Sequence, residues 1–364
     1  MRKDIKLSNM KGMLVFLVVF GHFIELNKEN YYQIFVFIYT FHMPLFVFIS
    51  GFLAKRMKVK KVINLIILYI IFQTACNFYF FLTGDSQLFK FNYDKPIFHL
   101  WYLVSMVFWY ILAGIVGRLK LNNSGKILLL MFIIIISFFS RWYTDAIVDF
   151  MREFYPNFSS YTFSYQRTIT FSPFFFAGLF MSREMLKQLY TTISTNKAKA
   201  LLVVTAATVF LINEIIPNME WLYKGSYGTY RFLAEDQSYL LKMILHFALS
   251  AWICLLILNV INEKKSIFTK WGDNSLGIFL MHPIFIFPLR HSDFMDKWNV
   301  DTQLLVIFIM SIIVTSILGS DFFSQKSRFI TSPMITLEKL IRMLKDLYNT
   351  KVTIDRKRLS KIKP

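Results

Sequence analysis

His22 and Glu25 stand three residues apart at the end of an apolar run from Gly12 to Ile24. On a helix that spacing puts both on one face. An imidazole held by a carboxylate is the arrangement a general base needs to take a proton from a hydroxyl. The competing reading is a single interfacial histidine bonded to a loop. Lys11 precedes His22 by eleven residues, which returns to within about 20° of the same face after a rise of about 16 Å. His42 is followed by Pro44, and a proline frees a backbone carbonyl near the imidazole, as suits a helix lining a cavity. A simple proline kink with a satisfied histidine is the alternative there. Arg167 follows Ser164-Tyr165-Gln166, His99-Leu100-Trp101-Tyr102 opens another apolar stretch, and His282 stands beside Pro283. Trp101 and Tyr102 fit either an interfacial aromatic belt or a carbohydrate-stacking surface. The run Lys55, Arg56, Lys58, Lys60 and Lys61 offers cations for a phosphate-rich ligand. Anchoring at a membrane surface predicts the same run.

These polar groups are expensive where they lie. The chain has 364 residues, 55% of them hydrophobic and 18% aromatic, with 41 Phe. Its mean hydropathy is +0.48. That composition excludes an ordinary soluble domain. A helix needs roughly 20 mainly apolar residues to cross a bilayer core of about 30 Å. Ten stretches qualify, at about 10–27, 34–54, 61–82, 98–117, 124–140, 168–183, 199–217, 239–261, 273–290 and 302–320. The sequence therefore predicts an all-α polytopic membrane protein with both termini cytoplasmic. The first stretch lacks a small-residue cleavage site and reads as a retained helix, not a leader. Pro173 and Gly178 predict a kink or break in the sixth.

The formal charge of +19 raises the question of a nucleic-acid partner. With the N-terminus inside, 30 of the 41 Lys and Arg fall on the cytoplasmic side, against 8 of the 22 acidic residues. The basicity follows the positive-inside rule and does not indicate nucleic acid. In the same topology the six histidines (His22, His42, His99, His246, His282 and His291) all fall toward the outer side. A water-filled cavity opening outward accounts for that bias. Cys76 and Cys254 lie in apolar runs, with no disulfide framework and no metal motif. Two regions are expected: 1–325, a transmembrane domain that carries the chemistry, and 326–364, a basic tail. In the tail Met334, Leu337, Leu340, Ile341, Leu344, Leu347 and Tyr348 recur at helical spacing, an amphipathic pattern suited to an anionic inner leaflet.

Lys11 with Val18-Val19-Phe20-Gly21-His22, then Phe41-His42-Met43-Pro44-Leu45-Phe46 and Ser50-Gly51, resembles the acyltransferase-3 family of integral-membrane O-acyltransferases. The nearest subgroup is that of fucose 4-O-acetylases and capsular polysaccharide O-acetyltransferases. His99-Leu100-Trp101-Tyr102-Leu103, Pro173 to Gly178 and Asn274-Ser275-Leu276 through His282 follow in matching order, so the resemblance spans about residues 5–320. It implies acyl transfer from cytoplasmic acetyl-CoA, with no permanently bound cofactor and no metal, to a hydroxyl of a cell-surface polysaccharide or lipid-linked oligosaccharide at a bacterial cytoplasmic membrane. The family's Arg-x10-His pattern maps onto Lys11 and His22, with lysine replacing an arginine that would bind bidentately.

The expected site follows. His22, Glu25, His42 and Arg167 are the catalytic set, with His22 as base and with His42 and Arg167 shaping the site or stabilising the developing oxyanion. Lys11, Lys55, Arg56, Lys58 and Lys61 are the donor-binding set. His99, Trp101, Tyr102 and His282 are the acceptor-binding set. A transporter or flippase is the competing class, since it too has broken helices and buried polar groups; it predicts internal repeats, and the sequence shows none.

Overall fold

The computed structural model describes residues 4–55, 59–86, 89, 91–216, 223–225 and 239–360. Among these residues every regular element is helical. The elements are α1 Ile5–Ile24, α2 Tyr32–Ala54, α3 Val59–Leu82, α4 Trp101–Arg118, α5 Asn123–Trp142, α6 Thr144–Arg152, α7 Tyr165–Phe180 and α8 Arg183–Leu189. They continue with α9 Thr195–Ile215, α10 Tyr239–Val260, α11 Ile267–Asp273, α12 Ser275–Met281, α13 Pro283–Ile286, α14 Val300–Leu318, α15 Asp321–Thr331 and α16 Pro333–Ser360.

Several helices start where a short polar side chain satisfies a free backbone N–H. Asp4 accepts from Leu7 at 3.1 Å, Asn122 from Gly125 at 2.8 Å and Asn299 from Thr302 at 2.9 Å. Seven described helical segments are long and apolar enough to cross a membrane: Ile5–Ala54, Val59–Leu82, Phe98–Arg118, Asn123–Trp142, Thr195–Ile215, Leu240–Val260 and Val300–Leu318. The first contains both α1 and α2, joined through a 3-10 turn, Glu25–Tyr31, in which Asn27 leaves helical geometry. A straight helix would hold Gly21 and Tyr39 about 27 Å apart. A Cβ on Gly21 would instead lie 3.3 Å from the Tyr39 ring, so α2 runs back along α1.

The outer helices turn ordinary burial inside out. On α5 the buried residues are Ser137, Ser140 and Arg141, while Leu128, Phe132 and Phe139 are exposed. Such a surface is stable in lipid, not in water. The α1–α2 pair is central and mostly buried. Two backbone crossings hold it. A Cβ on Gly12 of α1 would lie 1.9 Å from the Phe268 carbonyl oxygen, and one on Gly272 1.8 Å from that of Ser8. On the other side, Gly51 of α2 meets Phe175 at 1.9 Å, and Gly178 meets Phe48 at 2.0 Å. Helices without side chains at the crossing approach to van der Waals contact of their backbones.

The ten predicted stretches all fall on helices. α7 is continuous through Pro173 and has 16 residues, while the 273–290 stretch divides into α12, α13 and a 3-10 turn at Phe287–His291. The tail beyond residue 330 is helical as expected. Glu338 pairs with Lys60, and Leu337, Leu340, Ile341, Leu344 and Tyr348 are exposed. Leu347 lies in that helix, though its side chain is outside the described part. Cys76 and Cys254 are free and buried.

Candidate active site

α1 ends with His22 one turn from its C-terminus, and the 3-10 turn begins with Glu25. His22 Nδ1 lies 3.2 Å from Glu25 Oε2. A carboxylate only accepts, so Nδ1 carries a proton, and in the neutral tautomer with that proton it is Nε2 that can accept. The other carboxylate oxygen, Oε1, accepts from Lys224 Nζ at 3.1 Å. Lys224 lies 4.9 Å from the Phe35 ring centroid and 5.7 Å from that of Tyr39. Glu25 is thereby fixed from two sides, and it fixes His22.

This pair opens into a cavity of about 230 Å³, lined also by Tyr39, His42, Phe98, His99, Trp101, Tyr161, Arg167, Tyr223 and Lys224. His42 donates from Nδ1 to the Ile38 carbonyl at 2.8 Å, one turn before it, while the carbonyl that Pro44 frees, that of Thr40, accepts from Ser250 at 2.6 Å. In the neutral tautomer the Nδ1 bond leaves Nε2 as an acceptor on a ring that lines the cavity. That tautomer suits contact with a hydroxyl, whereas an oxyanion calls for a donor. Arg167 enters from the first turn of α7, with its guanidinium 5.1 Å from the Trp101 ring centroid. Its Nε is buried without a hydrogen-bond partner among the described residues.

His282 lies behind His22, with ring centroids 5.3 Å apart, and His99 lies 5.0 Å from His282. His282 donates from Nδ1 to the carbonyls of Ile278 and Phe279, and its Nε2 is buried without a partner. Both ring nitrogens of His99 are likewise unpartnered. Despite this density of imidazoles, no group of three or more metal-ligating side chains occurs among the described residues.

A second cavity, of about 440 Å³, lies at the other end of α2, lined by Ala54, Lys55, Ala113, Gly114, Gly117, Lys120, Lys126, Leu179 and Phe180. Along α2 and α4, the hydrogen bond between Ser50 and Tyr102, at 2.6 Å, stands between the two cavities. Non-glycine residues with positive φ among the described residues cluster at these cavities. Phe98 (φ 51) lines the first, called outer after the side on which the sequence topology expects it, and Lys120 (φ 46) the second, called inner for the same reason, while Phe163 (φ 48) and Ser164 (φ 53) form the turn before Arg167. Backbone held in this region costs energy and concentrates at functional sites.

Comparison with known proteins shows the family of the chain. The family described as an acyltransferase domain matches residues 4–324. The chain belongs to the acyltransferase-3 family. Nodulation protein NolL of Sinorhizobium fredii (strain NBRC 101917 / NGR234) is 46% identical over 59 residues, which cover 15% of this chain and 16% of that protein. No solved structure matches the chain. Membership of an acyltransferase family supports the acyltransferase reading and lends the transporter reading nothing.

Within this acyltransferase fold, His22, Glu25, His42, Arg167, His99 and Trp101 all line the outer cavity. Tyr102 and His282 do not: Tyr102 bonds to Ser50 beneath the floor, and His282 backs the wall. Trp101 presents its ring to Phe171 and Arg167, which takes up stacking surface. Of the donor set, Lys55 lines the inner cavity, Lys61 is exposed on α3 and Lys11 lines neither cavity. Arg56 and Lys58 lie outside the described residues, as does the side chain of His291. His246 stands apart, its Nδ1 3.5 Å from Arg141 Nη1, both side chains fully buried.

Sequence reasoning missed Lys224, Tyr39, Lys120 and Lys126. In the sequence Lys120 and Lys126 enter only as part of the positive-inside charge. Lys224, between α9 and α10, carries no local pattern that marks it.

Proposed function

We propose that this protein is a membrane O-acetyltransferase that moves an acetyl group from cytoplasmic acetyl-CoA to a hydroxyl of an extracytoplasmic or lipid-linked cell-surface glycan. The proposal includes ten crossings, both termini at the cytoplasmic face of a bacterial cell membrane, and a helical tail from residue 326 resting on the inner leaflet. The observation that carries it is the His22–Glu25 pair opening into an outer cavity, with a lysine-lined cavity at the opposite end of α2.

His22 Nε2 takes the proton of the acceptor hydroxyl as its oxygen attacks the thioester carbonyl. The tetrahedral intermediate collapses, the C–S bond breaks, and the imidazolium returns the proton to the departing thiolate. Glu25 orients the ring and stabilises its charged form. His42 accepts from the acceptor sugar, and Arg167 supplies the cationic wall. Lys55, Lys120 and Lys126 face the donor's phosphates. From Lys55 to His42 the rise along α2 is about 20 Å, a span comparable with an extended pantetheine arm. That arm has to pass the Ser50–Tyr102 pair.

Replacing His22 with Ala is expected to abolish acetylation of the host's surface glycan while the protein's abundance in membranes stays intact. Measurement of glycan-bound acetate alongside an immunoblot checks this, and persistent acetylation removes His22 from the role of base.

A further inference from the structure

The outer cavity carries an unbalanced charge. Its described charged lining residues are Glu25, Lys224 and Arg167. Lys224 and Glu25 pair with each other; Glu25 also acts on Arg167 electrostatically, but from beyond ion-pair distance, so among the described residues Arg167 has no directly paired anion. Arg167 donates no hydrogen bond to any described residue, and its buried Nε has no partner. Tyr161, Tyr39 and Trp101, which surround it, are neutral. Arg290, outside the lining, lies 4.7 Å from the centroid of Phe98, which lines the cavity. A partly buried guanidinium whose Nε is shut away from water without a directly paired anion is costly. A protein retains such a group where a ligand supplies the missing charge, and the planar fork of arginine matches an oxyanion through two parallel hydrogen bonds.

A cavity of about 230 Å³ is of the size of one sugar residue. The polar hollow beside it shares Glu25 and Lys224 and continues along Leu26 to Asn30, giving a longer glycan a way out. Resting on the acetyl-transfer reading above, we propose that the acceptor carries an acid group, a sugar carboxylate or a phosphate, which docks on Arg167 while a hydroxyl of the same or the adjoining residue faces His22. The competing role for Arg167 is stabilisation of the reaction's own oxyanion, which demands no charge on the acceptor.

The two roles separate by experiment on the full-length protein in detergent micelles, titrated calorimetrically with glucose, glucuronate and glucose 1-phosphate. Wild type is expected to bind at least one of the two anionic sugars about tenfold or more tightly than glucose. Glucuronate in front identifies a carboxylate, and glucose 1-phosphate in front identifies a phosphate. Arg167→Gln is expected to bring the preference to within about twofold, and Arg167→Lys to restore part of it. Equal binding of all three sugars by wild type overturns the proposal, as does a preference that survives in Arg167→Gln. Should Arg167→Gln fail to fold, the Arg167→Lys variant decides: an undiminished preference there overturns a fork-specific contact. His22→Ala keeps the acid preference while losing acetyl transfer, so the acceptor inference and the base assignment fail separately.

Discussion

Glu25 accepts from His22 on one oxygen and from Lys224 on the other. Its two contacts do different things. In the proposed mechanism the first holds the imidazole in the tautomer whose Nε2 takes the acceptor's proton; the second fixes the carboxylate itself. In Glu25→Gln the amide oxygen still accepts from Nδ1, so orientation survives, but the charge that stabilises the imidazolium is gone. We expect a fall of roughly 10²-fold in kcat with the KM for acetyl-CoA little changed. Steady-state assays on isolated membranes check it, and a variant with wild-type kcat would leave Glu25 with no part in proton transfer. His22 with Glu25 was legible in the sequence because both ends of the contact fall within one helical turn. Lys224 was not, because its contact with Glu25 closes a loop of 199 residues and no local spacing reports it.

At the scale of elements, the site depends on how closely α2 approaches α7. α2 carries His42 and α7 carries Arg167, and Gly51 and Gly178 let their backbones touch. A methyl on Gly51 would sit 1.9 Å from the Phe175 carbonyl oxygen, with no flexible side chain there to give way. Gly51→Ala is therefore expected to push the helices apart and to lower stability by about 1–3 kcal/mol. Gly277→Ala is the control, since nothing lies within 4 Å of its Cβ position. A thermal-shift measurement in detergent distinguishes them, and equal melting of the two variants would contradict the crossing. The helices themselves were readable from apolar runs, because lipid demands length and hydrophobicity. The crossings were not. Gly12 with Gly272 and Gly51 with Gly178 are paired across 260 and 127 residues, and a glycine looks the same whether it meets another helix or, like Gly117, meets nothing.

Over the whole molecule, the proposed reaction spans two cavities at opposite ends of α2, one lined by imidazoles and the other by lysines. Histidines confined to one side and basic residues to the other were visible in the sequence as a charge asymmetry, which anchoring alone also explains. What singles out Lys120 and Lys126 is that they share a cavity with Lys55, while Lys61 stands exposed on α3 and Lys60 is spent on Glu338. A lysine serving only as an anchor faces headgroups, and its loss changes membrane abundance, not donor affinity. Lysines facing the donor's phosphates act through Coulomb attraction in a wet cavity, so the interaction is moderate and screened by salt. The double variant Lys120→Gln/Lys126→Gln is expected to raise the KM for acetyl-CoA about tenfold at low ionic strength with kcat changed by less than about threefold, because binding is lost equally in ground and transition states. Adding salt is expected to raise the wild-type KM toward that of the variant. Initial rates across acetyl-CoA concentration, at two ionic strengths, check both statements. An unchanged KM together with reduced membrane abundance would return these lysines to anchoring and place the donor's phosphates elsewhere.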